Sequence, residues 1–395
     1  MKRILIFEYA SSGLARASSL LTEGFAMLNF AIQEAKEANF EAVTILDPRI
    51  AKLELIEVGF RDFKAALKEV DGVLVIAPET DLILYKLARE VEKARLPLLG
   101  CTSKGIYIAG DKSKTQELLR SKDIFTPDSQ KIAFESKREI GIEYPFVIKP
   151  LDGVGGSGTS IVRKEAEVKA AISKVKLETK LKYFLAEEYI KGKHASASVI
   201  CNSNNGVVLT LNSQKIVENE GLKYFGNSAP LHHPLEQMAK EAARKAVLSI
   251  PGLRGYAGVD MVLTKDKVYI VEINPRLTTS CLIAGKVAGI NIVKAISEAV
   301  LEGKLPEGIM GKGFAAIERI ITPRRIFITE ELAKAIWSLK GVVSPPLAIN
   351  EYLNEGETLA FISSHSRDEK RVSAALAAAK KEIYHILKEE RCFES

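Results

Sequence analysis

The sequence of 395 residues has few cysteines and no long apolar segment. Its four cysteines, Cys101, Cys201, Cys281 and Cys392, stand far apart, without the paired spacing of a zinc site or a disulfide framework. We therefore expect reduced thiols. No stretch approaches the ~18 uninterrupted apolar residues of a membrane-spanning helix, and Glu8 interrupts the first apolar run before it reaches the length of a signal-peptide core. The sequence thus predicts a cytoplasmic protein without a membrane span.

Charge of one sign and tryptophan are also scarce. The 56 basic residues only slightly outnumber the 50 acidic ones and are scattered along the whole chain, which does not mark a nucleic-acid groove. The single tryptophan, Trp337, lies in an amphipathic stretch, so we interpret it as core packing rather than a base-stacking platform. With 47% hydrophobic and 27% charged residues, the composition is that of a folded protein, and the length allows two or three domains.

The first hundred residues alternate short apolar runs with amphipathic stretches, as a parallel sheet covered by helices requires. We predict an α/β domain over residues 1–105, with ligands at the carboxyl ends of its strands. The predicted strands are 4–7, 43–46, 73–76 and 96–99, and the predicted helices are 20–38 and 81–93.

The pattern changes to α+β over residues 106–310, where a glycine-rich loop, several alternating strands and two acidic strands occur. We predict helices over 235–248 and 282–301, and a break at the glycine and proline residues of 303–308.

The remaining residues, 311–395, predict a small α+β extension with strands near 315–321 and 358–362 and a helix over 368–387. The chain contains no internal repeat or low-complexity tract. The expected fold class is therefore mixed, α/β followed by α+β.

Three oxygen-bearing side chains lie on two neighbouring predicted strands. A polar link at 264–267 suits a hairpin, which would bring Asp260 beside Glu272 and Asn274. Two carboxylates and an amide oxygen are suited to Mg²⁺ or Mn²⁺. Arg276, two residues further on, can reach the same phosphates as a planar donor. The alternative is an ordinary surface hairpin.

A predicted strand ends in Lys149 and runs into a glycine-rich loop. The glycines satisfy the dinucleotide-binding fingerprint, but that fingerprint requires a helix after the loop, whereas 159–162 looks like a strand. Such a loop can instead fold over a triphosphate with its backbone N–H groups, although a plain mobile turn is the alternative. The candidate contacts in this loop are Gly153, Gly155, Gly156 and Ser157.

Two further segments can contact a nucleotide. Lys112 opens a predicted helix and is a second candidate phosphate contact, the alternative being a solvated lysine. Residues 183–192 combine an apolar strand, an acidic pair and a turn, and an adenine can occupy such an apolar slot. His232 and His233 are adjacent, so their side chains diverge, and we favour a structural or substrate-positioning role over a metal pair.

These four pieces, in this order over residues 112–276, resemble the ATP-grasp superfamily. The resemblance implies an ATP-grasp fold with an N-terminal Rossmann-like (pre-ATP-grasp) domain and a small C-terminal extension. It implies ATP and two ions of Mg²⁺ or Mn²⁺ as cofactors. By this resemblance Lys112 and Lys149 contact phosphates, Glu187, Glu188, Tyr189 and Ile190 hold adenine, Asp260, Glu272 and Asn274 bind metal, and Arg276 supports the transferring phosphate. The implied catalytic residues are Lys149 and Arg276.

Two positions depart from common ATP-grasp patterns. His194 stands where an acidic residue usually contacts the ribose, and some members of the superfamily use histidine there, so the resemblance implies a ribose contact by His194. Gly258 stands where the ligases that make D-alanyl dipeptides carry an arginine, which argues against that activity.

Eight segments carry a further resemblance, and they are 7–9, 12–14, 23–28, 76–79, 99–101, 211–214, 255–260 and 272–280. They are similar to one group of the superfamily, the tyramine–glutamate ligases of methanofuran biosynthesis. This likeness implies that the γ-carboxylate of L-glutamate is joined to tyramine. Residues after Phe314 exceed what we expect of that group. Another amino acid and amine pair, as in pyrrolysine biosynthesis, a non-catalytic nucleotide sensor and a dehydrogenase are the alternatives.

The expected reaction is ligation through an acyl phosphate. A carboxylate attacks the γ-phosphate of ATP, and an amine then displaces phosphate. Glu8 and Glu23 are candidates to hold an ammonium group, and Arg276 or Lys215 to hold a carboxylate. The expected partners are small molecules, an amino acid and an amine, with neither nucleic acid nor a membrane, and a homo-oligomer is left open.

Overall fold

The computed structural model describes residues 2–15, 18–60, 62–136, 139–218, 221–309, 311 and 313–389. Cys101, Cys201 and Cys281 are buried free thiols, as expected, while Cys392 lies outside the described residues. None of the helices in the described ranges combines the length and the apolar character that crossing a bilayer requires.

The N-terminal region forms a parallel sheet of three strands with the order β2-β1-β3. Its strands are β1 (Arg3–Glu8), β2 (Glu41–Val43) and β3 (Gly72–Ile76), and its helices are α1 (Ser18–Glu37), α2 (Pro48–Ala51), α3 (Phe63–Ala66), α4 (Ile83–Lys93) and α5 (Ser103–Ala109). The fourth strand predicted at 96–99 is wrong, because only one bridge, between Val73 and Leu98, forms there. Pro97 has no N–H to extend the ladder.

The next region forms an antiparallel sheet of four strands with the order β4-β7-β5-β6. Its elements are α6 (Lys112–Arg120), β4 (Ser129–Ala133), β5 (Phe146–Pro150), β6 (Ser160–Val162), α7 (Glu165–Glu178) and β7 (Tyr183–Glu188). The glycine-rich loop joins β5 to β6, so a strand follows the loop as the sequence indicated. The helix that a dinucleotide-binding fingerprint requires is therefore absent from this described segment.

The third region is a sheet of eight strands with the order β12-β11-β8-β9-β10-β13-β17-β15. Its strands are β8 (Lys193–Cys201), β9 (Gly206–Glu218), β10 (Leu222–Ala229), β11 (Gly255–Leu263), β12 (Val268–Asn274), β13 (Phe314–Ile321), β15 (Val342–Ser344) and β17 (Thr358–Ser366). A small pair, β14 (Ile326–Phe327) and β16 (Tyr352–Leu353), lies beside it. The helices are α8 (Glu236–Ser249), α9 (Cys281–Ala288), α10 (Ile292–Leu301), α11 (Glu330–Trp337) and α12 (Glu369–Glu389).

The single helix predicted over 282–301 is wrong, because two helices, α9 and α10, occupy this range. Gly289 ends α9 with a φ of 69°, a left-handed conformation that glycine adopts without steric cost. Asn291 begins α10, since its side chain accepts a hydrogen bond from the N–H of Lys294. Both apolar faces remain buried, which is why the hydrophobic pattern runs through the break.

The C-terminal residues share a sheet and a core with earlier parts of the chain. Strand β13 pairs with β10 on one side and with β17 on the other. Helix α1 packs against β15 and β17, and the centroids of the Trp337 and Phe25 rings lie 6.1 Å apart in an edge-on arrangement. Trp337 is partly buried and packs against the core, as predicted. The division into domains at 1–105, 106–310 and 311–395 stays a prediction, and the last boundary falls between two elements that belong to one folded body.

Candidate active site

The site residues expected from the sequence line one cavity, between the four-stranded sheet and the face of the eight-stranded sheet. Strands β5 and β7 contribute residues on one side, and β9 to β12 contribute residues on the other. The cavity contains Lys112, Lys149, Gly153, Gly155, Gly156, Ser157, Glu187, Glu188, Tyr189, Ile190, His194, Asp260, Glu272, Asn274 and Arg276.

Two carboxylates face each other at the base of this cavity. Asp260 on β11 lies opposite Glu272 on β12, as the predicted hairpin requires. Asn274 Nδ2 donates to Asp260 Oδ2 at 3.1 Å, and Gln214 Nε2 donates to Asp260 Oδ1 at 2.9 Å. Burial and the facing Glu272 carboxylate raise the pKa of Asp260. The two carboxylates therefore repel each other when both are charged, and a cation can offset that repulsion.

Lys112 joins this carboxylate pair to the glycine-rich loop. Its Nζ lies 3.0 Å from Glu272 Oε2 and donates to the carbonyl oxygen of Gly153 at 2.6 Å. Burial alone would raise the pKa of Glu272, but the ammonium groups of Lys112 and Lys149 hold that pKa below its usual range. Burial alone would lower the pKa of Lys112. The attraction of the Glu272 carboxylate for the ammonium group is larger, so the pKa of Lys112 is raised. Both side chains are therefore charged near neutral pH.

Lys149 is held by a buried ion pair inside the four-stranded sheet. Its Nζ lies 2.6 Å from Glu187 Oε1, and Gln116 Nε2 donates to Glu187 Oε2 at 2.8 Å. Strands β5 and β7 are antiparallel neighbours, which brings these two residues together. The Glu187 carboxylate therefore faces Lys149 and Gln116, and an adenine contact at this residue would be made through its backbone.

The residues after β7 form the rim of the cavity. Glu188, Tyr189 and Ile190 line it in sequence. The Tyr189 hydroxyl donates to Glu218 Oε2 at 2.6 Å, and His194 Nε2 lies 3.1 Å from the other oxygen of the same carboxylate. Burial and this hydrogen bond raise the pKa of Tyr189 to about 12. The adenine slot and the ribose contact stay predictions that this geometry supports.

The glycine-rich loop has a backbone that other residues rarely adopt. Gly155, Gly156 and Gly158 have φ values of 60°, 77° and 71°. The loop tip is exposed, and the Ser157 hydroxyl donates to Glu178 Oε2 at 2.5 Å. The predicted phosphate contact by Ser157 would therefore replace or share this hydrogen bond.

Arg276 is held at the boundary of the N-terminal region. Its guanidinium contacts both carboxylate oxygens of Glu79, with Nε at 3.1 and 3.3 Å and Nη2 at 3.2 Å. Nη1 donates to the carbonyl oxygen of Leu277 at 3.1 Å. Lys215, the other candidate for a substrate carboxylate, is exposed and pairs with Glu318 at 3.1 Å, so the structure does not bring it into this cavity.

The two adjacent histidines lie outside the cavity lining. His233 Nδ1 accepts a hydrogen bond from the N–H of Leu235 at 3.1 Å, immediately before α8. His232 is exposed and lies 3.8 Å from Glu236. These contacts support the structural role that the sequence favoured.

Several cavity residues were not recognised from the sequence. Tyr224 donates to or accepts from Thr279 at 2.9 Å, and Asn227 Nδ2 donates to Ser280 Oγ at 2.7 Å. The alternation of side chains along β10 could have predicted that Tyr224 faces the cavity. It could not have predicted Asn227, because a bulge between these two residues shifts the register. Apolar side chains that line the cavity were also not recognised from the sequence, and they include Pro127, Val147, Ile216, Met261 and Val271.

The donor set at the base of the cavity fits a divalent cation bound to phosphates. Among the described residues, no group of three or more His, Cys, Asp or Glu side chains converges on one point. Asp260, Glu272 and the Asn274 amide therefore supply a small set of hard oxygen ligands. Mg²⁺ is usually held by one or two carboxylates together with substrate phosphates and water. The fit is to a metal–nucleotide complex rather than to a metal cage made only of protein.

Family models match most of the first three quarters of the chain. An ATP-grasp domain model matches residues 109–280, and a pre ATP-grasp 3 domain model matches residues 41–106. A tyramine–L-glutamate ligase from Methanocaldococcus fervens is 32% identical over 292 residues, which cover 70% of this chain and 87% of the relative.

Solved structures share the fold over nearly the whole chain. An ATP-grasp superfamily protein from Archaeoglobus fulgidus has a TM-score of 0.64 and 24% identity, covering 92% of this chain and 100% of its own. An L-amino acid ligase from Bacillus licheniformis has a TM-score of 0.70 and 17% identity, covering 97% and 98%. At these identities the likeness concerns the fold.

Proposed function

The chain belongs to the ATP-grasp family, and from this membership we propose that it joins the γ-carboxylate of L-glutamate to the amine of tyramine or a similar aryl-ethylamine. The general activity is that of an ATP-grasp carboxylate–amine ligase. The glutamate and tyramine pair is supported by the relatedness to tyramine–L-glutamate ligases, and such an amide belongs to methanofuran-type biosynthesis.

The observation that carries the ligase mechanism is the meeting of opposite charges in one cavity. Facing carboxylates, Asp260 and Glu272, lie beside the ammonium groups of Lys112 and Lys149. In phosphoryl transfer the protein mainly positions the reactants and neutralises charge on the transferred group. No protein nucleophile is required for this reaction class.

In the proposed reaction the γ-carboxylate of glutamate attacks the γ-phosphorus of ATP and ADP leaves. The amine, after its ammonium group has lost a proton, then attacks the resulting acyl phosphate, and phosphate leaves as the amide forms. Asp260, Glu272 and Asn274 would hold Mg²⁺ or Mn²⁺, which supplies positive charge to the phosphate oxygens when bound. Lys149 and Arg276 place further positive charge at the cavity wall. The glycine-rich loop would cover the phosphates and keep water away from the acyl phosphate.

The test is a direct synthesis. Purified protein with ATP, Mg²⁺ or Mn²⁺, L-glutamate and tyramine is expected to release ADP and phosphate and to form γ-glutamyltyramide, detected by mass and fragmentation. Reactions that lack glutamate or tyramine are the controls, and they are expected to yield no amide.

The outcomes separate the substrate from the reaction class. If no amide forms here while another acid and amine drive ADP release, the substrate proposal is wrong and the ligase activity stands. If nucleotide binds and a broad panel of acids and amines gives no ADP, a nucleotide sensor replaces the ligase.

A further inference from the structure

A second cavity lies beside the first. It is enclosed by the end of β1, helix α1, the end of β3 and the glycine-rich loop. Glu23, Gly155 and Arg276 line both cavities, so the two spaces meet at these residues. A molecule in the second cavity can therefore reach the site of phosphate chemistry from the N-terminal side.

The walls of the second cavity are largely apolar. Leu20 and Met27 lie on α1, and Ile76 and Pro78 lie at the end of β3. Such walls match the apolar body of a ligand better than a second charged group. The charged groups of this cavity are Glu8, Glu23 and Arg276.

The Glu8 carboxylate is already bound by backbone N–H groups of the protein. Its carboxylate accepts hydrogen bonds from the backbone N–H groups of Ala10 at 3.0 Å and Ser11 at 2.6 Å, and the residue is only 3% exposed. A methyl group added to Gly24 would collide with this carboxylate, at 2.4 Å, so Glu8 is packed tightly under α1. Glu8 therefore stabilises the turn after β1, and of the two acids proposed to hold an ammonium it is the less available.

Glu23 is different, because none of the described residues donates a hydrogen bond to its carboxylate. The positive groups facing it are Arg276 and Arg319, and Arg276 is already bound on two sides by Glu79. The nearby Tyr224 hydroxyl is bonded to Thr279. A half-buried carboxylate without a donor favours a ligand that brings its own N–H groups.

We propose that the second cavity is the subsite for the amine substrate, with Glu23 binding its ammonium group at the junction and the apolar walls holding its body. This inference rests on the proposed function and names how the nucleophile is recognised. An amino-acid zwitterion fits this cavity less well, because its carboxylate would compete with Glu79 for Arg276. Glutamate would then occupy the polar part of the first cavity.

The competing explanation is that Glu23 only neutralises Arg276 and Arg319. Hydroxylamine separates the two roles, because it is small and mostly uncharged near neutral pH and traps acyl phosphates as hydroxamates. Hydroxamate formation from ATP and glutamate therefore reports acid activation, while amide formation also needs the amine subsite.

The test compares Glu23→Gln with the wild type in both reactions. We expect a rise of about tenfold or more in the KM for tyramine, since a charged hydrogen bond is lost, with hydroxamate formation and the KM for glutamate unchanged. Glu34→Gln is the matched control on the same helix, because Glu34 accepts a hydrogen bond from the N–H of Ile292 at 2.5 Å, remote from both cavities. It is expected to lower the melting temperature and to leave the KM for tyramine unchanged.

Other results overturn the inference. A parallel loss of hydroxamate and amide in folded Glu23→Gln protein, or a raised KM for glutamate, assigns Glu23 to the acid subsite or to the scaffold. Unchanged kinetics of amide formation in Glu23→Gln would show that Glu23 does not bind the amine. If the wild type forms hydroxamate from glutamate but no tyramide, the proposed amine is wrong, and the same comparison is made with the amine that does react.

Discussion

In the proposed mechanism, the chemistry depends most on the facing carboxylates of Asp260 and Glu272. Two buried like charges destabilise the fold unless a cation or hydrogen-bond donors offset them. Lys112 lies 3.0 Å from Glu272, while the described residues that donate hydrogen bonds to Asp260 are the neutral side chains of Gln214 and Asn274. Under the proposed function, a metal–nucleotide complex would offset the repulsion that remains between the two carboxylates.

Glu272→Gln is expected to reduce ATP turnover by on the order of 100-fold or more, as removal of one preorganised electrostatic contact typically does. The substitution removes an anionic oxygen and leaves Lys112 without its partner. ADP release at saturating Mg²⁺ measures the effect, and circular dichroism checks the fold.

Glu236→Gln is the control for this prediction, because Glu236 also pairs with a lysine, Lys240 at 2.6 Å, but lies outside the cavity lining. It is expected to keep wild-type turnover. Wild-type turnover in Glu272→Gln at saturating metal would show that this carboxylate does not bind the ion.

Local sequence spacing was sufficient to bring Asp260 beside Glu272, since one short turn joins their strands. The ion pair of Lys149 with Glu187 depends on β7 pairing with β5, which no local pattern reveals. The contact of Arg276 with Glu79 joins residues 197 positions apart. Sequence therefore identified the charged residues, whereas their partners required the tertiary fold.

At the scale of elements, the glycine-rich loop, which we propose covers the bound phosphates, has a backbone that tolerates little substitution. Gly155, Gly156 and Gly158 have positive φ, and a methyl group on Gly156 would lie 2.5 Å from the carbonyl oxygen of Leu222 on β10. The loop is thus fitted against the opposite sheet, across the mouth of the cavity.

Gly156→Ala is expected to raise the KM for ATP and lower kcat, because it combines a clash with Leu222 and a left-handed backbone that costs roughly 1–2 kcal/mol for a residue with a Cβ atom. Initial-rate kinetics with varied ATP measure the effect.

Gly303→Ala is the control that measures the cost of a left-handed backbone without a steric clash. Gly303 has a φ of 68° and open space around it, and it lies outside the cavity lining. This variant is expected to lower the melting temperature slightly and to keep normal kinetics. Equal kinetic effects in both variants would mean that the loop does not close against β10.

Hydrophobic periodicity predicted most of the elements but not their interruptions. Helices α1, α8 and α12 lie close to their predicted ranges because each buries one continuous face. The run at 96–99 is apolar, and its Leu98 and Leu99 are buried, yet it forms only a bridge because Pro97 cannot extend the ladder. Burial and strand pairing are separate properties, and the apolar pattern reports only burial.

At the scale of the whole molecule, residues after 311 belong to the sheet that carries the site. Strand β13 covers the edge of β10, and β17 and β15 extend the sheet toward α1 of the N-terminal region. The sequence predicted the two longer strands but described the segment as an extension. Sheet order depends on contacts between distant residues, which is why this integration could not be predicted from the sequence.

Removal of residues 311–395 is therefore expected to prevent folding of the remaining chain rather than to release a stable ligase. The truncated chain would lose the partner strand of β10 and expose an unpaired strand edge, which promotes aggregation. It would also uncover the apolar side of α1, where Phe25 contacts Trp337. We expect no cooperative thermal unfolding transition and no ATP-dependent ligation.

A chain that ends at Glu389 keeps every described strand and helix and is the control, with unchanged melting temperature and turnover expected. A truncated chain with a cooperative transition and normal hydroxamate formation would instead show that residues 311–395 form an independent addition to the enzyme.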